Sequence, residues 1–226
     1  YGIQWAIFEP NDEPLWSACE AHAMPVHFHG GPSSGDDHAA YGAKGLAVYA
    51  VETTLFYSCR AFAYFVLGGV LERHPGLQLV FTESHGPWLH LLSFMDRLMA
   101  ERSGNDLFSH VRADLPLKPS DYFRRQVFLG VSMMTRAEAL SRHEVGLENL
   151  MWGADYPHVE GTWPRTTTWL RSAFGGLPPD EVHMILAQNP ARLYGFDLDD
   201  LRPIADRIGP TVEELAAPPD EDLWEW

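Results

Sequence analysis

Five side chains near the ends of predicted strands could together bind a metal ion. Imidazole and carboxylate groups are ligands of zinc and manganese, and a metal ion with an open coordination position activates water. If parallel strands curve into a barrel, such side chains meet at one rim, where the strands end. The residues are His27 and His29 in MPVHFHG (24–30), Glu83 and His85 in or just after LQLVFTE (77–83), and Asp155 at the end of NLMWGAD (149–155).

Each of these residues also has an ordinary structural explanation. A carboxylate that follows an apolar run is costly unless it is paired or binds a metal, but Asp155 in DYP could equally cap a helix or form a turn. Glu83 could pair with an arginine, and a histidine on a strand is more often hydrogen-bonded than metal-bound. Because strand side chains alternate, His27 and His29 share one face, as do Phe81 and Glu83. Only the joint placement favours a metal site.

Strand-like and helix-like segments alternate along the chain, which predicts a parallel α/β fold. No linker or repeat divides the sequence, so we expect one domain over residues 1–226, with a helical and polar tail from about residue 197. One long helix is predicted from about Leu46 to Arg73, before the stop signal HPG. The predicted strands are 3–9, 24–30, 77–83, 127–133 and 149–155, and further helices are expected at 163–174 and 179–195.

Composition excludes several classes of partner. Sixteen Lys and Arg stand against 31 Asp and Glu, giving a formal net charge of -15, and such a surface repels nucleic acid and anionic membranes. No apolar run approaches the roughly 20 residues that span a bilayer. Cys19 and Cys59 imply no disulfide framework, which favours a cytoplasmic protein, and the expected partner is a small-molecule substrate.

Several motifs in their order along the chain resemble the amidohydrolase-related family that includes aminocarboxymuconate semialdehyde decarboxylase. The resemblance implies a TIM-type (β/α)8 barrel with one divalent metal ion, zinc first and manganese second. It implies that His29 is a metal ligand, that Asp155 touches the metal or its water and acts as a base, and that His27 is an inward-facing neighbour. The motifs are PVHFHGG, RHPGLQLVFTES, GPWLHLLSFMDRL, KPSDYFRRQVFLG, ENLMWGADYPH and NPARLYGF.

Two departures from the family pattern affect the predicted site. The family's first strand carries a His-x-His pair of ligands, and nothing before His27 can supply it. YGIQWAIFEP resembles the fourth strand, so we expect a partial barrel that lacks about the first three strands. Glu83 stands where several relatives have a histidine; we expect Glu83 to act as a ligand or general base, with His85 in support.

The resulting prediction is a metal-dependent hydrolase in which activated water attacks a carbonyl-type carbon. The alternatives are a decarboxylase or hydratase of an aromatic or dienoic carboxylate, and a non-catalytic barrel remnant. A sugar hydrolase using Glu83 and Asp155 leaves the histidines unexplained. Arg165 and Arg60 are candidates to bind an anionic substrate, and the loop 30–45 is either a substrate lid or a plain surface loop. Relatives are often dimers, so a homodimer is the assembly to test.

Overall fold

The computed structural model describes residues 8–29, 42–52, 58–84, 86–100 and 108–217. Contacts along the chain define two compact units, Tyr1–Phe128 and Leu129–Trp226, and each is described by itself. Most of the predicted strand 3–9, most of the loop 30–45, and His85 lie outside the described residues. The single domain over 1–226 stays a prediction.

In the described part of the first unit, two parallel strands pair with each other, and helices precede and follow them. Val26 lies opposite Leu79, and Phe28 lies opposite Phe81, so the predicted strands 24–30 and 77–83 are confirmed with shorter bounds. The elements are α1 Glu13–Ala21, β1 Val26–Phe28, α2 Gly42–Val51, α3 Ser58–Leu67, α4 Val70–Arg73, β2 Leu79–Thr82, α5 Trp88–Ala100, α6 Ser109–Asp114 and α7 Pro119–Gln126.

The prediction of one unbroken helix from Leu46 to Arg73 was wrong. Helix α3 ends at Leu67, and Gly69 takes a left-handed conformation (φ 73°) before α4 begins. A side chain is strained in that region of backbone space, whereas glycine adopts it readily. The glycine pair therefore turns the chain, and the apolar pattern on both sides of it could not reveal the break.

Aromatic side chains form the core of the first unit and fix its strands. Phe28 stacks on Phe81 with ring centroids 5.1 Å apart, and Phe81 also contacts Trp88 at 5.1 Å. Phe62 packs edge-on against Trp88 at 5.7 Å. Such pairs add about 0.5–1.5 kcal/mol each beyond the burial of their surface. The cluster therefore holds the carboxyl ends of β1 and β2, where the candidate residues follow.

The second unit contains a further parallel strand pair, in which Leu129 lies opposite Leu150 and Ser132 opposite Gly153. Parallel pairing in both units agrees with the fold class predicted from sequence. The elements are β3 Val127–Ser132 (which begins in the first unit), α8 Arg136–Leu140, α9 Arg142–Val145, a 3-10 turn Leu147–Asn149, β4 Leu150–Gly153, α10 Thr166–Phe174, α11 Pro179–His183, a π-helical segment Met184–Gln188, α12 Asn189–Tyr194, α13 Leu198–Ile208 and α14 Val212–Ala216.

A buried asparagine connects the helical end of the second unit to β4. The side-chain amide of Asn189 donates to the carbonyls of Leu147 at 2.9 Å and Leu150 at 2.7 Å. Leu150 is the first residue of β4, so this contact fixes where the strand starts. Among the described residues, none of the helices has both the length and the apolar character required to span a membrane.

Candidate active site

In the first unit, His29 and Glu83 form a side-chain pair. His29 directly follows β1 and Glu83 directly follows β2. Nε2 of His29 lies 3.1 Å from Oε2 of Glu83. The hydroxyl of Thr82, the last residue of β2, donates to the carbonyl of Phe28 at 2.9 Å. This hydrogen bond joins the ends of the two strands, and the pair is therefore held by both of them.

The backbone at Glu83 departs from strand geometry. Its φ is +50°, a value that few residues other than glycine adopt. The prediction that Glu83 shares a face with Phe81 assumed regular alternation, which ends at Thr82. The next residue, Ser84, is buried and accepts a hydrogen bond from the indole N–H of Trp88 at 2.8 Å. This anchor holds the turn that directs Glu83 towards His29.

His27 precedes His29 by two positions on the same strand. Phe28 lies between them and packs into the aromatic core against Phe65 and Phe81, so alternation places both histidines on the other side of β1. Desolvation by its neighbours lowers the pKa of His27, although the residue is exposed by its accessible surface. A neutral imidazole at His27 is therefore favoured at pH 7, and its predicted role as a neighbour of the substrate stays a prediction.

In the second unit, Asp155 pairs with His158. Asp155 lies two residues after β4, has φ +54° and keeps only 12% of its side chain exposed. Both of its carboxylate oxygens lie 3.1 Å from Nδ1 of His158, and the His158 amide donates to the Asp155 carbonyl at 2.9 Å. Sequence reasoning missed His158. The signal available in the sequence was its position three residues after Asp155, in a segment already predicted to form a turn.

Short contacts hold the loop that carries Asp155. The amide of Thr162 donates to the Ala154 carbonyl at 2.9 Å, and its side chain lies 3.1 Å from the Thr166 hydroxyl on α10. A Cβ atom added at Gly161 would lie 2.7 Å from the Asp155 carbonyl oxygen. The loop therefore requires glycine at position 161 and is closed by Thr162, which is 1% exposed.

Left-handed backbone marks the ends of three strands. Among the described residues, four that are not glycine have positive φ: Ala23, Glu83, Met133 and Asp155. The last three follow β2, β3 and β4. Such conformations cost of order 1–3 kcal/mol each and occur often at functional sites. Two of the predicted site residues are thus placed by unusual backbone rather than by strand alternation.

The two arginine candidates have different surroundings. Arg60 lies on α3, with its guanidinium 5.6 Å from the centre of the Tyr64 ring and one nitrogen 3.4 Å from the Tyr64 hydroxyl. Arg165 directly precedes α10, and its amide donates to the Thr162 carbonyl at 2.8 Å. Arg165 therefore follows the loop of Asp155 directly, and its role towards a substrate stays a prediction.

The donor groups present in each unit fit a divalent cation. His29 with Glu83, and Asp155 with His158, each combine imidazole nitrogen with carboxylate oxygen. Zinc accepts this mixture readily, and manganese favours its oxygen atoms. In each pair the carboxylate contacts an imidazole, which accounts for the position of the polar groups without requiring a metal.

Comparison with known proteins establishes the family. The chain belongs to the amidohydrolase family, since the family model described as "Amidohydrolase" matches residues 4–196. This is a family of enzymes, as the sequence motifs implied. A sequence search of curated proteins gives no match.

Solved structures give the fold and a partial alignment. The chain is 27% identical to 5-carboxyvanillate decarboxylase LigW from Sphingomonas paucimobilis, with a TM-score of 0.67, covering 85% of this chain and 56% of that one. It is 15% identical to a dihydroxybenzoic acid decarboxylase from Polaromonas sp. JS666 with bound manganese and the inhibitor 2-nitroresorcinol (TM-score 0.65, 93% and 57% covered). It is 22% identical to amidohydrolase map2389c from Mycobacterium avium subsp. paratuberculosis K-10 (TM-score 0.62, 83% and 46% covered).

These comparisons confirm the predicted fold class, a part of a TIM-type α/β barrel. The chain spans about half the length of each of the three structures. The second and third comparisons fall below 25% identity and support the fold alone. One of the matched structures contains bound manganese.

Proposed function

We propose that the intact protein is a metal-dependent decarboxylase of an aromatic carboxylate. The observation that carries the proposal is Asp155, a largely buried carboxylate in a left-handed turn at the end of a strand in an amidohydrolase chain. The similarity to 5-carboxyvanillate decarboxylase, 27% over most of the chain, favours decarboxylation over the hydrolysis first predicted from sequence.

We assign the metal to His29, Glu83 and Asp155, with zinc preferred and manganese second. When bound, a divalent ion supplies Lewis acidity that polarises oxygen atoms of the substrate. The imidazole of His29 supplies a nitrogen donor, and the Glu83 carboxylate supplies an oxygen. His85 is expected to support Glu83, and His27 to face the substrate. These assignments follow the family resemblance and the pairing of His29 with Glu83.

Asp155 moves the proton in the proposed reaction. Its carboxyl group delivers a proton to the ring carbon that bears the substrate carboxylate. The bond from that carbon to the carboxylate then breaks, its electron pair returns to the ring, and carbon dioxide leaves. Asp155 regains a proton from solvent. His158 holds the Asp155 side chain at 3.1 Å, and Arg165 is proposed to bind the anionic group of the substrate.

Hydrolysis is the second candidate, and the family description favours it. Asp155 would then take a proton from water as the water attacks a carbonyl-type carbon. The two candidates use the same donors but release different products. Carbon dioxide is formed only by decarboxylation.

The test is an assay of the intact protein loaded with Zn²⁺ or Mn²⁺. Carbon dioxide release is measured with 5-carboxyvanillate and 2,6-dihydroxybenzoate, and hydrolysis with a panel of esters and lactones. We expect carbon dioxide release, and a loss of at least about a hundredfold in Asp155→Asn, because proton transfer by a positioned group contributes about that much. The control is Asp199→Asn, at a carboxylate whose side chain is 90% exposed.

Two results would overturn the proposal. Hydrolytic turnover without carbon dioxide release would establish the second candidate. If the intact protein binds no stoichiometric metal and turns over neither class of compound, the non-catalytic barrel remnant is the better description.

A further inference from the structure

Two exposed aromatic side chains lie on the loop that carries Asp155. Tyr156 and Trp163 are each 68% exposed. Their ring centroids are 5.9 Å apart and the ring planes meet at 79°. Val159, between them in sequence, is fully exposed. Single exposed apolar residues are common, but a cluster of them beside polar groups of a site often marks a binding surface.

Backbone contacts close the loop between the two rings. Thr162 immediately precedes Trp163 and bonds to the carbonyl of Ala154 through its amide. This bond closes the segment that contains Tyr156. Gly161 lies against the carbonyls of Asp155 and His158, so the backbone between the two rings is closely packed. Backbone contacts therefore set the spacing of the two rings, and a ligand need not bring them together on binding.

We propose that Tyr156 and Trp163 form the wall of the substrate pocket and that the aromatic ring of the substrate carboxylate packs against it. The inference rests on the proposed function, since it places the ring of that substrate. Tyr156 follows Asp155 directly in the chain, so a ring that packs here is bound by the same loop that carries the proton donor.

The chemistry of the pair favours a planar aromatic ligand. Aromatic rings attract one another in edge-to-face and offset arrangements, beyond the effect of buried area. A saturated ring of similar size lacks that electrostatic term. Ligand sites also combine apolar and aromatic walls with a few polar groups that fix orientation, and Asp155 and Arg165 provide such groups at the two ends of the loop.

The test is calorimetric titration of the metal-loaded intact protein with 5-carboxyvanillate and with cyclohexanecarboxylate. We expect Trp163→Leu to weaken binding of the aromatic acid about three- to tenfold and to leave binding of the saturated acid within about twofold. Trp163→Phe keeps a ring and is expected to restore most of the affinity. Phe196→Leu is the matched control, because Phe196 is an exposed ring (56%) whose ring partner is Tyr194, outside the segment from Asp155 to Arg165.

Each outcome separates this inference from the proposed function. Binding that depends on Trp163 without carbon dioxide release supports the wall and refutes the decarboxylase. Turnover with unchanged affinity in Trp163→Leu overturns the wall and leaves the decarboxylase standing. If Trp163→Leu changes only the molar mass in light scattering, the pair is an interface between protein chains and the inference is wrong. If no aromatic carboxylate binds at all, the inference is also wrong.

Discussion

Nε2 of His29 lies 3.1 Å from Oε2 of Glu83, and the two residues directly follow adjacent strands of a parallel pair. The stacked rings of Phe28 and Phe81 fix those strands. An imidazole and a carboxylate are thus brought together by the core of the first unit. In the metal site proposed above, these same atoms would be the ligands of a divalent cation.

Loss of either side chain is expected to weaken metal binding. His29→Ala removes a nitrogen donor and Glu83→Gln removes a charged oxygen donor, so each should lower the affinity of the intact protein for Zn²⁺ or Mn²⁺ by at least about tenfold. The measurement is competition with a chelator, together with elemental analysis. His110→Ala, at an exposed histidine on α6, should change nothing. Unchanged affinity in both site variants would remove His29 and Glu83 from the metal site.

Gly161→Ala is expected to disturb the loop of Asp155. The new methyl group would lie 2.7 Å from the Asp155 carbonyl and 3.0 Å from the His158 carbonyl. Backbone atoms cannot move aside as a flexible side chain can, so we expect a loss of about 1–3 kcal/mol in the free energy of unfolding. Urea denaturation measures it. The matched control is Glu160→Ala, which alters an exposed neighbour on the same loop; equal stability of the two variants would contradict the packing described.

Regular elements were predictable from the sequence, and irregular backbone was not. Apolar runs indicated β2, β3 and β4, which are largely buried as strands of a parallel sheet are, whereas β1 was recognised in the mixed run MPVHFHG. The turn at Gly69 was missed because an apolar helix lies on each side of it, so the apolar pattern continues through the turn. The direction of Glu83 was missed because its φ of +50° interrupts the alternation expected of a strand. The hydrogen bond from Trp88 to Ser84, four residues apart in the chain, belongs to the same turn.

The candidate site was predictable in its residue types but not in its pairing. Family motifs pointed to His29, Glu83 and Asp155. His158 lies in the motif ENLMWGADYPH but was given no role from sequence, and only its contact with Asp155 drew attention to it. Its position depends on the turn at Pro157 and on the closure of the loop by Thr162. Those features arise from the folded backbone.

Low pH is expected to reduce the contribution to stability of a cluster of two carboxylates around the buried His74. Both ring nitrogens face carboxylates, with Glu13 at 2.9 Å and Glu20 at 3.0 Å. A hydrogen bond from Arg73 lowers the pKa of Glu13, and the Gly76 amide lowers the pKa of Glu20, each from an ordinary 4.5. A lowered carboxyl pKa in the folded state stabilises the protein above the ordinary value, and that stability is lost as the pH falls through the folded pKa.

The measurement is the free energy of unfolding between pH 3 and pH 7. We expect Glu20→Gln to cost about 1 kcal/mol at pH 7 and to flatten the pH dependence below about pH 4.5, because one titrating group is gone. Glu9→Gln, at an exposed position before α1, serves as the control and should retain the full dependence. A Glu20→Gln profile parallel to that of the wild type would show that the cluster does not contribute in acid.

Asn189→Ala is expected to destabilise the start of β4. The Asn189 side chain is 2% exposed and donates to the carbonyls of Leu147 and Leu150. Removing it leaves the Leu150 carbonyl, in a buried contact, and the Leu147 carbonyl, in a partly buried one, without this donor. A buried polar group left unsatisfied costs about 1–3 kcal/mol, and a partly buried one costs less. We therefore expect a loss of about 2–4 kcal/mol in the free energy of unfolding, measured by urea denaturation. Gln188→Ala, at the exposed neighbouring position, should stay within about 0.5 kcal/mol of the wild type.

Since β4 leads directly to Asp155, Asn189→Ala should also lower metal affinity. A variant that loses stability but keeps full metal affinity would show that the start of the strand does not position the carboxylate at its end.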